Sequence, residues 1–356
     1  LLIFFSSVIS AVGNPLKITL VINGVLGDKS FFDSAQRGVD KAMDEYDVDV
    51  NTIELGIDPN NWETGLDDAM AGRDYDVLIA GTWQMIGFMA SRAHKYPDKV
   101  FMFFDASMPY DDAKVCVDGC SNVYSITYNQ NEGSFLAGVY AAAMSLTSTK
   151  GMNKKSIIGA VGGQDIPVIN DFIVGYEQGA CLANKKSQIL IQYAGSWNDP
   201  AKGKEITLAL YEQGADIVFQ IAGGTGEGVF EAAAEQGRYA LGVDSDQATI
   251  ILENDPNQAK RILTSMMKNV DNSLFRGIGL YLKDKLPVGK REGLGIAEGG
   301  VGLAYNNIYY EKTPKNIQNL IKAVEEAVVN NEIKVNSYLG NNAVKVGLSC
   351  GNMKGM

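Results

Sequence analysis

The stretch NVYSITYNQNEGSFLAGVYAAAMSL, residues 122–146, decides the fold, because one series of structural units ends in it and a second begins. Its first seven residues, NVYSITY (122–128), read as a strand, and from about Glu132 the run EGSFLAGVYAAAMSL has apolar residues at helical spacing. Upstream lie four further strand candidates, KITLVI (17–22), VDVNTIEL (48–55), YDVLIAG (75–81) and KVFMFFD (99–105). Downstream lie five, SIIGAVG (156–162), QILIQYAG (188–195), ADIVFQIAGG (215–224), YALGVD (239–244) and RILTSMM (261–267). Helical segments separate them, and such alternation is the pattern of βαβ units winding a parallel sheet. No Pro-rich or Ser-rich linker marks the junction near Tyr128. The two α/β series are therefore expected to be lobes joined directly by the chain, through a hinge rather than a tether.

Composition narrows the class of function. The chain has 356 residues, 46% hydrophobic and 21% charged, enough for two cores at the usual ~100–150 residues per domain. A formal net charge of −11 argues against a nucleic-acid partner, since phosphate binding needs clustered Lys and Arg. The opening LLIFFSSVISAVG (1–13) is too short to span a bilayer, which takes about 20 residues. It reads as the remnant of a secretory signal, with cleavage before Asn14; the alternative, a short N-terminal strand, is less favoured because the first convincing strand starts after it. An exported protein is expected.

The cysteines are Cys116, Cys120, Cys181 and Cys350. In an exported protein the close pair in VCVDGC (115–120) is expected to bridge across the Asp-Gly turn, the alternative being two free thiols in a loop. The single histidine, His94, argues against structural zinc and would leave a Ser-His-Asp mechanism resting on one residue, which is expected at a solvated helix end.

In an open parallel sheet, ligands gather outside the carboxyl ends of the strands. Reading those ends in order yields Asp28, Ser30 and Phe31 after the first strand, Asp105 after the fourth, and Trp197 in AGSWNDP (194–200). GGTGEG (223–228), Asp244 with Asp246, and Lys268 follow. Each has an ordinary alternative. Asp at a strand end caps the next helix well, a phenylalanine usually belongs to the core, and a lysine is usually solvated. A carboxylate also accepts hydrogen bonds from sugar hydroxyls and from the N–H edges of a base, and an aromatic ring in a polar loop is a stacking surface. Neighbouring side chains in an extended segment point to opposite faces, so Phe31 is expected to meet a ligand and Phe32 to pack. GGTGEG lacks the G-x-G-x-x-G spacing and no P-loop occurs, so no nucleotide cofactor is expected. The segment TPKNIQNLIKAVEEAVVNNEI (313–333) reads as an amphipathic surface helix capped by Thr313.

Seven motifs in order, DKSFFDSAQRG (28–38), FMFFDAS (101–107), NEGSFLAG (131–138), GSWNDPAKGKE (195–205), FQIAGGTGEGVFEAA (219–233), GVDSDQ (242–247) and LTSMMKNVD (263–271), resemble the basic membrane protein family. Its members are PnrA-like purine nucleoside receptors, the solute-binding components of ABC importers. The resemblance runs from about Leu16 to about Asn336. It implies a type I periplasmic binding protein: two Rossmann-like α/β lobes joined by three crossovers, with a ligand cleft between them. Lobe 1 would take 15–125 plus 269–292, and lobe 2 would take 126–268 plus 293–350.

The resemblance also implies roles. The base would stack between Phe31 and Trp197, with Asp28, Ser30 and Asp105 along it and Asn131 at the same rim. Asp244 and Lys268 would hold the ribose, Gly224 would offer backbone contact, and Asp246 is the weaker acidic candidate. The asparagine that follows the stacking phenylalanine in the family is Phe32 here. The expected function is capture of a nucleoside (adenosine, guanosine or inosine) by a monomer outside the cytoplasm, at the cell surface or in a periplasm and membrane-associated where lipidated, for delivery to a permease. Riboflavin, also flat and hydroxylated, is the alternative ligand. An enzyme acting on nucleosides, with Asp105 or Asp244 as general base, is the less favoured class.

Overall fold

The computed structural model describes residues 14–340, 343–347 and 350; the signal reading of 1–13 lies outside them. All ten expected strands form: β1 (Leu16–Ile22), β2 (Val48–Glu54), β3 (Val77–Gly81), β4 (Val100–Phe104), β5 (Val123–Tyr128), β6 (Ile157–Gly162), β7 (Gln188–Tyr193), β8 (Ile217–Ile221), β9 (Tyr239–Asp244) and β10 (Ile262–Lys268). Two more, β11 (Lys290–Leu294) and β12 (Val301–Leu303), complete the sheets. The helices are α1 (Phe31–Glu45), α2 (Trp62–Gly72), α3 (Ile86–Ala90), α4 (Gln130–Ser145), α5 (Pro167–Ala183), α6 (Pro200–Glu212), α7 (Glu227–Gln236), α8 (Gln247–Leu252), α9 (Pro256–Ala259), α10 (Val270–Tyr281), α11 (Asn307–Lys312) and α12 (Lys315–Val329).

The strands form two six-stranded sheets of one topology, β11-β5-β4-β3-β1-β2 and β12-β10-β9-β8-β6-β7. Apart from β12, which runs antiparallel to β10, the pairings are parallel. Central strands such as VLIAG and IVFQI are buried along their whole length, as sheets covered by helices on both faces require.

The chain crosses between the sheets three times: from β5 to α4 at Asn129, from β10 to α10 at Asn269, and from β11 to β12 through 295–300. The crossings are bonded to one another. Asn129 N donates to Leu294 O (2.9 Å), Asn269 N to Gly300 O (2.9 Å), and the Asn269 side chain to Gly299 O (2.8 Å). Such strands form a short, mutually braced hinge, as the absence of a linker suggests.

Helix α4 is buried on nearly every side; only Glu132 and Ala143 escape full burial. Its small residues let α5 come close. A Cβ on Gly138 would lie 2.0 Å from Tyr176 O, and one on Gly179 only 1.9 Å from Phe135 O, so neither position tolerates alanine without separating the helices. After α12 the chain returns along α5. Asn336 N donates to Gln178 Oε1 (2.9 Å), Tyr338 N to Asp171 Oδ1 (2.8 Å) and Gly347 N to Glu177. A disulfide, Cys181–Cys350, pins this strap.

The expected Cys116–Cys120 bridge is present, and Cys181–Cys350, 169 residues apart, is the one that local spacing does not reveal. Thr313 does not cap α12: Pro314 occupies the N-cap, and the buried Thr313 hydroxyl bonds Tyr140 Oη at 2.8 Å. His94 is half-buried in a single turn after α3, rather than solvated.

Candidate ligand-binding site

Between the two sheets, at the carboxyl ends of their strands, lies a cavity of about 470 Å³, within the ~300–1,000 Å³ common for small-molecule sites. Its wall comes from both lobes. The β1 end supplies Asn23 to Asp28 with Phe31 and Phe32, β3 supplies Thr82 to Gln84, and β4 supplies Asp105; facing them are Trp197 after β7, Gly223 and Gly224 after β8, Asp244 at the end of β9 and Lys268 at the end of β10.

Strand order orders the chemistry. In both sheets the fourth and fifth strands lie toward the crossovers, so Asp105, Asp244 and Lys268 share the hinge end of the cavity. Trp197 follows an outer edge strand, β7, and Ile57 follows the other, β2, so the mouth end is apolar and aromatic.

At the hinge end, Lys268 is 2% exposed and pairs across the cleft with Asp105. Its ammonium also lies 5.4 Å from the ring centre of Phe31, and 5.2 Å from those of Tyr128 and Phe172, where ring faces are attractive to a cation. Burial pushes the Asp105 carboxyl up, and the Lys268 ammonium pulls it back. Burial raises Asp244 to about 7, opposed by Lys268 and by the Ser30 hydroxyl. Asp28 is also raised by burial, although the backbone N–H groups of Phe32, Ser30 and Asp33 counter it.

Thr82, Asp105 and Asp244 have φ of 73°, 65° and 63°. A positive φ at a non-glycine residue is uncommon, and three of them at strand ends facing one cavity fit the backbone strain that functional sites hold.

The first turn of α1 clasps lobe 2. Lys29 Nζ meets Glu227 Oε2 at 2.7 Å, and Ser30 Oγ donates to Asp244 Oδ2 at 2.5 Å. Arg37 Nη2 donates to Ser245 Oγ (2.7 Å), which donates in turn to Ser30 O (2.9 Å).

Of the residues singled out in the sequence, Asp28, Phe31, Asp105, Trp197, Gly224, Asp244 and Lys268 share the cavity wall. Ser30 stands behind it, fully buried and bonded to Asp244. Asn131 and Asp246 do not reach it. The Asn131 amide donates to Val335 O (3.1 Å) and Asn336 O (3.3 Å), fastening the C-terminal strap. Asp246 caps α8 through Thr249 N and accepts from Asn306 Nδ2 at 2.7 Å. Asp28 has both functions weighed for a strand-end acid: it borders the cavity while its oxygens accept from the N–H groups of Ser30 and Phe32.

Both phenylalanines line the cavity, so the expectation that Phe32 is packing alone does not hold. The reason is local. Phe31 and Phe32 open a helix rather than extend a strand, and successive side chains there are about 100° apart instead of opposed. The rings meet edge to face at 5.2 Å. Two glycines seat the aromatics: a Cβ on Gly24 would sit 2.4 Å from the Phe32 ring, and one on Gly163 only 2.3 Å from the Trp197 indole.

Sequence reasoning missed Ile57, Trp62, Trp83 and Phe172 of the wall. The first three follow β2 or β3 and are apolar side chains with nothing in their local sequence to set them apart from core residues, and Phe172 looks like an ordinary helix-core residue. Among the described residues no group of three His, Cys, Asp or Glu is placed to hold a metal, and no helix is long and apolar enough to cross a membrane.

Comparison with known proteins agrees with this geometry. Residues 16–337 match the family model described as ABC transporter substrate-binding protein PnrA-like. The chain is 31% identical over 325 residues to basic membrane protein A of Borreliella afzelii, covering 90% of this chain and 91% of that one. Among solved structures, an ABC transporter solute-binding protein from Aeropyrum pernix K1 superposes with a TM-score of 0.78 at 24% identity, covering 90% and 93% of the two chains. Another, from Conexibacter woesei, superposes with a TM-score of 0.71 at 18% identity, covering 91% and 100%. Two like-wound lobes, a cavity between them and a family match over almost the whole described chain together mean that this protein belongs to the PnrA-like, or basic membrane protein, family of ABC transporter substrate-binding proteins.

Proposed function

We propose that the chain is a monomeric receptor that captures a purine nucleoside outside the cytoplasm and presents it to an ABC permease. The observation that carries this reading is a cavity with ring faces from both lobes on its wall and two acids with one ammonium gathered at its hinge end. Phe31 from lobe 1 and Trp197 from lobe 2 supply ring faces for a heterocycle, and base–aromatic stacking contributes ~1–3 kcal/mol per ring by alanine substitution. Asp244 and Asp105 accept from ribose hydroxyls, and Lys268 donates to a sugar oxygen. An alcohol pair suits this arrangement, since a second anion would meet three acids and one ammonium.

Binding works by closure. A ligand touching both lobes stabilises the closed arrangement through contacts that the open one lacks, and the α1 clasp adds Lys29–Glu227 and Ser30–Asp244 only when the lobes meet. The permease then distinguishes a closed, loaded receptor from an open one.

Native mass spectrometry of the protein purified from its host tests the ligand class. A bound mass equal to adenosine, guanosine or inosine supports the reading. A bound riboflavin mass rejects it, and free base released on incubation with inosine replaces it with an enzyme.

A further inference from the structure

The mouth end of the cavity carries more apolar surface than a purine base needs. Val25, Ile57, Pro59, Trp62 and Trp83 all line it from lobe 1. Three of these are exposed large hydrophobic side chains: Val25 is 39% exposed, Ile57 61% and Trp83 44%. They are contiguous with the cavity rather than scattered, and exposed apolar surface gathered at a pocket marks a place that something covers.

This surface is fixed in position. Trp62 Nε1 donates to Gly56 O at 2.8 Å, so the indole has no polar group left to offer and presents carbon. Gly56 N donates to Gly24 O (3.0 Å), Leu26 N to Glu54 Oε2 (2.7 Å), and Asp58 caps the turn 59–61 through Asn60 N. On the β3 side, Asn23 Nδ2 donates to Thr82 Oγ1 at 2.9 Å, in front of Trp83. A wall braced in this way is organised before any ligand arrives, and little ordering entropy opposes its use.

We infer that this wall is an annexe of the ligand site, and that the nucleoside it favours carries an apolar alkyl or arylalkyl substituent on the base. The inference rests on the nucleoside reading above. With the sugar at the Asp105, Asp244 and Lys268 end and the base between Phe31 and Trp197, the far edge of the base points along the cavity toward Ile57 and Trp83. A substituent there is removed from water against side chains already in place. Each methylene so buried tightens binding about fourfold, so a benzyl group tightens it by roughly tenfold to a hundredfold.

The test is calorimetry on the whole chain with adenosine, N6-benzyladenosine and riboflavin as probes, repeated on Ile57→Ser and Trp83→Ser. Both side chains are too exposed for their loss to endanger folding. The proposal expects N6-benzyladenosine to bind at least about tenfold tighter than adenosine, and this ratio to fall toward one in both variants. Equal or weaker binding of the benzyl compound overturns the annexe and leaves the nucleoside reading intact. A ratio unchanged in both variants also overturns it, and assigns the exposed rim to protein contact instead. Binding of riboflavin alone, or of no probe, overturns the annexe, and it rejects the nucleoside reading as well when guanosine and inosine also fail to bind.

Discussion

Replacing Lys268 by methionine removes the ammonium that pairs with Asp105 and opposes the raised carboxyl of Asp244, while keeping an unbranched stem of similar length. The side chain is 2% exposed and its acid partner, on the opposite lobe, 10%, so in the closed form the two carboxylates lose their counter-charge with no water to replace it. Removing one partner of a buried ion pair costs about 3–5 kcal/mol. That penalty falls on the closed arrangement alone, because opening the hinge returns Asp105 and Asp244 to solvent. At about 1.4 kcal/mol per tenfold, the closed-to-open ratio should drop by roughly two to three and a half orders of magnitude. Small-angle scattering reads this as a larger radius of gyration for Lys268→Met at pH 8. At pH 5 the variant should close again in part: Asp244, raised to about 7, is then neutral, which leaves Asp105, also raised by burial, as the one acid of the pair still opposing closure. Adding Asp105→Asn should restore closure fully at pH 5 and in part at pH 8, where Asp244 is still ionised. A Lys268→Met scattering curve identical to that of the parent at both pH values refutes the reasoning, and with it the view that this ion pair governs closure.

Asp244 also sets a pH dependence of stability. Its carboxyl titrates near 7 when folded and near ~3.9 in an unfolded chain, so between those values the folded protein holds the extra proton. This contribution to stability is fully present below about pH 4 and is lost as pH rises through 7, by about 4 kcal/mol; Asp244→Asn should flatten the urea midpoint over pH 5–8, and a profile parallel to the parent's contradicts the assignment. Trp197→Ala should weaken nucleoside binding by about 1–3 kcal/mol. Gly163→Ala, whose methyl would sit 2.3 Å from the same indole, should weaken it as well by tilting the ring; unaltered titrations in both variants remove Trp197 from the site. Replacing Cys181 and Cys350 by serine should lower unfolding free energy by about 2–5 kcal/mol and expose the strap from Ile333 onward to protease, whereas an unchanged melting profile and digestion pattern would show that the hydrogen bonds to Asp171 and Gln178 suffice.

The parts of this molecule legible in its sequence are those where one residue type answers to one local demand. The central strands stand out because β-branched and aromatic runs buried in a parallel sheet have few polar interruptions, and the edge strands β2 and β7 because they are still rich in Val, Ile and Leu. Strands β11 and β12 do not, since KREGL is an exposed edge and VGL is three residues long. Asp105, Asp244 and Lys268 could be found because a charge that ends an apolar strand is conspicuous, yet nothing local says that Lys268 and Asp105, 163 positions apart, meet across a cleft. Asn131 and Asp246 misled for the opposite reason: a polar side chain beside a site motif can be used by the fold, as the strap and the α8 cap use these two. The Cys181–Cys350 bridge and the Ile57–Trp83 rim depend on the tertiary path of the chain and leave no local mark.

The central claim is that a nucleoside bridges the lobes, its base between Phe31 and Trp197 and its sugar against Asp105, Asp244 and Lys268. Isothermal titration of adenosine, guanosine and inosine into the whole chain, with tryptophan fluorescence followed in parallel, tests it most directly. The account predicts saturable binding at one site per chain for at least one of the three, a fluorescence change that Trp197→Phe diminishes, and loss of binding in Asp244→Ala. No heat from any of the three nucleosides, or full-strength binding in Asp244→Ala, contradicts it.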